Sequence, residues 1–271
     1  MHSHGAMLIA LDTSTHWCSA GLAPLDLGEA LTISRYLGTG HSAHLLIILD
    51  ELMRQRSTPM AAIDAIVVTV GPGSFTGLRI ACGVAHGLAL SRNLPVVPLS
   101  TLEVIAQRFV GQQHPIVGQQ HPIVVCLDAR MDELYCAVFD PTGLRLCDDF
   151  VAAPEQASTR VLELLDEYPS PSGRAFHGAG NGWALDATRK TPMFAFVKQC
   201  DEQAYPQPAD MLRLGADRLG ALGRDQWISF AAENALPIYI RNDVALDMAA
   251  QRQLRVANDQ LKRSQTQERI E

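Results

Sequence analysis

The fold is decided by the stretch VVTVGPGSFTGLRIACGVAHGLAL, which occupies residues 67–90. An apolar, β-branched run over 63–70 predicts a buried strand, and residues 77–91 predict a helix. The turn between them contains three glycines and a proline. A strand, a glycine-rich turn and a helix in this order often bind a phosphate, so the first question is what the turn holds.

The turn matches neither of two common phosphate-binding motifs. A P-loop requires a lysine directly after its last glycine, and here Leu78 follows Gly77. A dinucleotide fingerprint requires its third glycine at position 76, which is Thr76. Backbone N–H groups at the start of a helix can still attract an anion, so a weak anion site remains an alternative.

Small residues recur along the predicted helix. One row contains Gly77, Ala81, Ala85 and Ala89 at every fourth position, and an adjacent row contains Gly83 and Gly87. A glycine inside a helix costs roughly 0.8–1.0 kcal/mol relative to alanine, so its repeated use indicates a packing requirement. Small rows let another element approach closely, which leaves two interpretations open. The row packs either against the sheet of its own domain or against another subunit.

Further elements are predicted on both sides of this unit. Residues 7–12 and 18–23 predict a hairpin whose turn contains Asp12, Thr13 and Ser14. Apolar residues at i, i+3, i+4 spacing predict a helix over 41–56, and 94–99 predicts a strand. Ser100 and Glu103 have the spacing of a capping box, which predicts the start of another helix. We therefore place a domain junction near 98–102.

The second half predicts a hairpin of 122–129 with 132–140, a helix over 155–168, a glycine-rich turn at 177–185 and a helix over 209–223. The heptapeptide GQQHPIV occurs at 111–117 and again at 118–124. One repeat of seven residues is too short for a repeat architecture. We interpret it as a tandem duplication in a loop, with a site built from His114 and His121 as the alternative.

Two groups near the start of the chain could bind an ion. Asp12, Thr13 and Ser14 could hold a phosphate or place a carboxylate near Mg²⁺, and an ordinary Asx turn explains them equally well. His41 and His44 are three residues apart, whereas zinc-binding histidine pairs on a helix are usually four apart. We therefore predict no metal site.

Asp128, Arg130, Asp132 and Glu133 cluster between two predicted strands. They could be catalytic carboxylates, but a solvated hairpin turn with ion pairs is the simpler interpretation. The sequence contains no G-x-S-x-G motif, no H-E-x-x-H motif and no Cys/His pair with a family signature. Residue patterns alone therefore predict no catalytic centre and no cofactor.

Composition limits the partners. The 271 residues are 47% hydrophobic, enough for a substantial core, and 22 basic against 29 acidic side chains give a net charge of −7. This sign opposes tight binding to a phosphate backbone. The six cysteines form no C-x-x-C pair, and the first apolar run is too short to span a bilayer. We expect a cytoplasmic protein without a membrane segment.

Several segments together resemble the TsaB (YeaZ) family of bacterial tRNA-modification proteins. They are IALDTST at 9–15, HSAHLLIILDELM at 41–53, PLSTLEVIAQ at 98–107, LDARMDELYCAVFD at 127–140 and ALPIYIRNDVA at 235–245. The most specific is GPGSFTGLR, called the hallmark turn below. It consists of Gly71, Pro72, Gly73, Ser74, Phe75, Thr76, Gly77, Leu78 and Arg79.

The resemblance implies an α/β fold of the ASKHA (actin-like ATPase, ribonuclease H-like) class, in which each of two domains has a mixed β-sheet flanked by helices. We place the first domain, with the dimerisation helices, at 7–100 and the second at 101–245. A polar tail follows at 246–271. The interface residues implied on the first-domain helices are Leu45, Ile48, Leu49, Leu52, Gly77, Ala81 and Ala85.

The resemblance also implies a role. TsaB-like proteins pair with the catalytic paralogue TsaD, or with a second copy of themselves when TsaD is absent, and they act together with the ATPase TsaE. The complex transfers a threonylcarbamoyl group to N6 of adenosine 37 in tRNAs that read codons beginning with A. The TsaB-like subunit is the non-catalytic one. The acidic net charge of this chain predicts that it meets tRNA only indirectly.

Two rival functions come from other classes of protein. The chain could be an ATP-dependent small-molecule kinase that acts alone and uses Asp12 near Mg²⁺. It could also be a glycoprotease, a label that the family has carried by analogy with its paralogue. The sequence offers the second rival neither a zinc set nor a nucleophile.

Overall fold

The computed structural model describes residues 6–110, 121–168 and 173–241. The first sheet contains β1 (Met7–Asp12), β2 (Trp17–Pro24), β3 (Leu31–Tyr36), β4 (Ile63–Gly71) and β5 (Val96–Ser100), in the order β3-β2-β1-β4-β5. Its first three strands pair antiparallel, whereas β4 lies parallel to both β1 and β5. Helices α1 (His41–Gln55) and α2 (Phe75–Arg92) cover one face.

The second sheet repeats this plan. After the short helix α3 (Thr101–Ala106) come β6 (Ile123–Arg130), β7 (Glu133–Phe139), β8 (Phe150–Ala152), β9 (Phe176–Ala179) and β10 (Val197–Asp201), in the order β10-β9-β6-β7-β8. Helices α4 (Pro154–Glu167) and α5 (Asp186–Arg189) belong to this half. Each sheet is mixed and flanked by helices, so the predicted fold class is confirmed.

The last long helix, α6 (Pro208–Gly220), returns to the first sheet. Alternate side chains of β1 serve the two faces: Ile9 packs in the core under α1 and α2, and Leu8 packs in the core under α6. A Cβ at Gly215 would lie 2.4 Å from the Val67 side chain. Glycine therefore lets α6 lie close against β4.

Most predicted elements are present within a few residues of their predicted ends, and three differences have physical reasons. Residues 177–185 are not a simple turn, because β9 ends there and a 3-10 helix follows at Asn181–Ala184. Glu103 does not complete a capping box, since its carboxylate accepts two 2.7 Å hydrogen bonds from Arg218 of α6. The sequence pattern does not predict strand β3, because its side chains are only partly buried and leave no clear apolar alternation.

The proposed division at 7–100, 101–245 and 246–271 stays a prediction. The packing of α6 shows in addition that the chain returns to the first sheet after the second sheet is complete. His114 and the predicted tail lie outside the described residues.

Candidate functional site

The hallmark turn packs directly on the turn between β1 and β2. The Ser74 N–H donates to the Ser14 carbonyl at 2.7 Å, and the Thr13 hydroxyl donates to the Gly77 carbonyl at 2.6 Å. A Cβ at Gly73 would lie 2.4 Å from the Ser14 carbonyl oxygen. One at Gly77 would lie 1.8 Å from the Thr13 carbonyl oxygen. These glycines are therefore required by contact between two backbones.

Another segment meets the hallmark turn from the end of the described chain. The Ile238 N–H donates to the Val70 carbonyl at 2.7 Å. Gly71 has a φ of 124°, and a Cβ there would lie 2.7 Å from the Ile238 carbonyl oxygen. This backbone conformation strongly favours glycine. The turn is thus fixed on two sides by other parts of the backbone.

Asp12 lies at the centre of this contact and is fully buried. Its Oδ1 accepts hydrogen bonds from the Ser14 N–H at 3.1 Å, the Ser14 hydroxyl at 2.6 Å and the Thr69 hydroxyl at 2.5 Å. Its Oδ2 has no hydrogen-bond partner within the described part of the chain. Burial raises the pKa of Asp12 to about 6, although the three hydrogen bonds act in the opposite direction.

The predicted phosphate site at Asp12, Thr13 and Ser14 therefore presents no open surface. All three residues are at most 1% exposed, and the hallmark turn covers them. The sequence did not predict the role of Thr69, although a single hydroxyl in the apolar run 63–70 was the available signal. The arrangement holds two turns together and leaves a phosphate no approach in this conformation.

The seven residues predicted for a subunit interface lie inside the chain itself. Leu45, Ile48, Leu49 and Leu52 of α1 and Ala81 and Ala85 of α2 are at most 3% exposed, and Gly77 is buried as well. They pack against the first sheet. Their predicted placement on the surface is thus corrected, because the apolar stripe of each helix faces its own domain. Of the two interpretations of the small row, packing within the domain is the one observed.

The opposite faces of α1 and α2 are exposed, and we call Leu46, Ile47, Gly83, Gly87 and Leu90 the docking face. The three large side chains are 52%, 57% and 79% exposed in chain order. A Cβ at either glycine would meet no atom of the described residues within 4 Å. The packing within the described part of the chain therefore gives no reason for glycine at these two positions, each of which costs the helix about 1 kcal/mol.

The two histidines of α1 have structural partners. His41 is buried and lies against the backbone at Thr15, His16 and Trp17, and burial lowers its pKa. The Nδ1 of His44 is 3.0 Å from the Gly40 carbonyl oxygen. The described residues contain no group of three or more His, Cys, Asp or Glu side chains placed to hold a metal ion.

The predicted acidic cluster forms the tip of the β6–β7 hairpin. Asp128 accepts a hydrogen bond from the Arg130 N–H at 2.7 Å and forms an ion pair with its guanidinium at 3.1 Å. Arg130, Met131 and Asp132 all have φ near +60°, which closes the hairpin tightly. This geometry favours the turn interpretation over catalytic carboxylates.

Comparisons with known proteins agree with these observations. A tRNA threonylcarbamoyladenosine biosynthesis protein TsaB from Haemophilus influenzae is 33% identical over 251 residues, covering 88% of this chain and 94% of the relative. The chain belongs to the TsaB family. The TsaB protein of Escherichia coli is 30% identical over 88% of this chain and 96% of its own length. A family model described as TsaD, tRNA N6-adenosine threonylcarbamoyltransferase, matches residues 35–223.

Two solved structures from Pseudomonas aeruginosa have the same fold. One is an uncharacterized protein with similarity to peptidase YEAZ, at a TM-score of 0.70 and 30% identity, covering 87% of this chain and 100% of that one. The other is YeaZ, at 0.66 and 31%, covering 86% and 99%. Among the described helices, none is both long and apolar enough to cross a membrane.

Proposed function

We propose that this chain is a non-catalytic subunit in the biosynthesis of threonylcarbamoyladenosine (t6A) in tRNA. Two relatives at 30% and 33% identity are named for this pathway, and they match nearly their full length. The closed turn at Asp12 supports the non-catalytic part, because it leaves a nucleotide phosphate no approach there. This closure also weighs against an ATP-dependent kinase that acts alone.

The partner in this proposal is the organism's TsaD-type paralogue, which binds the docking face. Gly83 and Gly87 carry the argument, since they are exposed, open and costly within an otherwise regular helix. A partner helix that crosses α2 at these glycines can bring its backbone close and bury Leu46, Ile47 and Leu90. A second copy of this chain binds the same face when the paralogue is absent.

The remaining parts of the proposal follow the family. TsaE joins the assembly and supplies ATP hydrolysis, and transfer to N6 of adenosine 37 takes place on the TsaD-type subunit. This chain needs no cofactor or metal of its own, works in the cytoplasm, and meets tRNA only through its partners. Its net charge of −7 supports the last point.

Sedimentation velocity tests the pairing, with the chain alone and mixed with the TsaD-type paralogue. We expect a self-associated species that converts to a one-to-one complex. Gly83→Arg should abolish both species while the chain stays folded, because an arginine at an open position obstructs only a partner. Gly220→Arg is the matched control, since Gly220 is also an exposed helical glycine with open space around it.

Two results would count against the proposal. A chain that stays monomeric and does not bind the paralogue would contradict the proposed pairing. ATP turnover would then become the next assay. Pairing that survives Gly83→Arg as well as Gly220→Arg would move the interface away from the docking face.

A further inference from the structure

The chain passes twice between the two halves of the fold. We call the first sheet with α1, α2 and α6 the first lobe, and the second sheet with α3, α4 and α5 the second lobe. The return passage is short. Ala204 packs on the core of the second lobe, whereas Pro208 already packs on the first sheet, where a Cβ at Gly21 would lie 3.0 Å from it. Tyr205 stands between these two residues.

The Tyr205 ring stacks on a side chain of the first lobe. Its centroid lies 4.1 Å from that of Trp17, and the two ring planes differ by 9°. Trp17 begins β2 and also contacts Tyr36 edge-on, with centroids 5.5 Å apart. His41 of α1 lies against the Trp17 backbone. The Trp17 ring is thus part of the first lobe through its place in β2, and the exposed Tyr36 ring only touches its edge.

The backbone just before Tyr205 is tied to the second lobe. The Gln203 N–H donates to the Asp201 carboxylate at 3.1 Å, and the Ala204 N–H donates to the Asp201 carbonyl at 3.2 Å. Asp201 in turn forms an ion pair with Arg108 at 2.7 Å. Tyr205 is thus the point at which a segment anchored on one lobe reaches a ring anchored on the other.

Other links between the halves are apolar as well as polar. Val104 of α3 is buried and packs in the core under α6. Arg218 of α6 binds Glu103 of α3, and Arg213 of α6 donates to Gln107 at 2.6 Å. The Arg218–Glu103 ion pair is partly exposed and contributes little because water screens it, whereas Gln107 is buried. The Trp17 and Tyr205 side chains are half-buried, and their stacking depends on ring geometry. The stack therefore opposes a change in the relative position of the lobes together with Val104 and the polar links.

We infer that the Trp17–Tyr205 stack is a clasp that holds the second lobe on the first. The inference goes beyond the proposed function and does not depend on it, because it concerns the isolated chain. A clasp at this place fixes the relative orientation of the lobes. Such rigidity suits a subunit that presents a constant surface better than an enzyme that closes around a substrate.

Hydrogen exchange followed by mass spectrometry tests the clasp on the full chain without any partner. The measured quantity is the exchange rate of peptides from β9 and β10 divided by that of peptides from β1 and β4. In Tyr205→Ala this ratio should rise about 2- to 10-fold, which is the change in exchange rate expected when the stabilisation by one aromatic pair is lost. Trp17→Leu removes the other ring and should raise the ratio similarly.

Two controls separate the clasp from a general loss of stability. Tyr205→Phe keeps the ring and should leave the ratio as in the wild type. Tyr36→Ala removes a different ring from Trp17 without touching the passage between the lobes, so it should not raise the ratio either. An unchanged ratio in Tyr205→Ala and Trp17→Leu, or an equal rise in Tyr36→Ala, would overturn the inference. Sedimentation with the paralogue tests the proposed function separately.

Discussion

At the scale of single residues, the buried carboxyl of Asp12 should make the stability of the fold depend on pH. Its buried carboxyl has a pKa of about 6 against an ordinary value of 3.8, because burial disfavours the charged form. Because the folded state binds this proton more tightly than the unfolded chain, protonation of Asp12 stabilises the fold. This contribution is fully present below pH 3.8 and is lost as the pH rises through about 6. Two units correspond to about 3 kcal/mol. The carboxyl therefore opposes folding at neutral pH.

Asp12→Asn should remove this pH dependence, because the amide has nearly the same shape, keeps an oxygen for the three hydrogen bonds and stays neutral. Urea unfolding between pH 4 and pH 8 measures it. We expect the variant to gain up to about 3 kcal/mol on the wild type across that range. Asp148→Asn, at an exposed carboxyl, controls for the loss of a charge. Parallel curves for wild type and Asp12→Asn would contradict the assignment.

At the scale of elements, the two faces of α2 use glycine for opposite reasons. A Cβ at Gly77 would lie 1.8 Å from a backbone oxygen, so Gly77→Ala should force the two turns apart. We expect a cost of about 3 kcal/mol or more in the free energy of unfolding. A Cβ at Gly83 meets open space, so Gly83→Ala should stabilise the monomer by roughly 0.5–1 kcal/mol.

Denaturant unfolding of these two variants measures both effects, and each variant is the control of the other. Similar costs at both positions would mean that the face at Gly83 is packed within the monomer. That result would also remove the argument for the docking face. Gly83→Ala that stabilises the monomer but weakens pairing would instead locate the reason for this glycine in a partner.

The sequence predicted the elements better than their contacts. Periodic apolar residues identified α1 and α2, because a helix that covers a sheet must bury one stripe. The same stripe was assigned to a partner, since periodicity reveals a buried face but not which surface buries it. The contact between Thr13 and Gly77 joins residues 64 positions apart and has no local signal. The return of α6 to the first sheet was likewise invisible, because its pattern fits any apolar face.

At the scale of the whole molecule, charge determines what the isolated chain can bind. Its net charge of −7 repels a phosphate backbone, and phosphate contacts dominate affinity for nucleic acid. We therefore expect the chain alone to bind a t6A-substrate tRNA no more tightly than about 100 μM at physiological salt, the weak end of non-specific binding. Fluorescence anisotropy with labelled tRNA at low and high salt measures this.

A mixture of the chain with the TsaD-type paralogue is the reference in the same titration. Binding that appears only with the complex would place the tRNA contacts on the partner, and this chain would act by holding that partner in its working form. A tight complex with the chain alone, weakening steeply as salt rises, would instead require a local basic surface strong enough to overcome the net charge. In that case this chain would itself contribute to tRNA binding in the proposed assembly, together with the TsaD-type subunit.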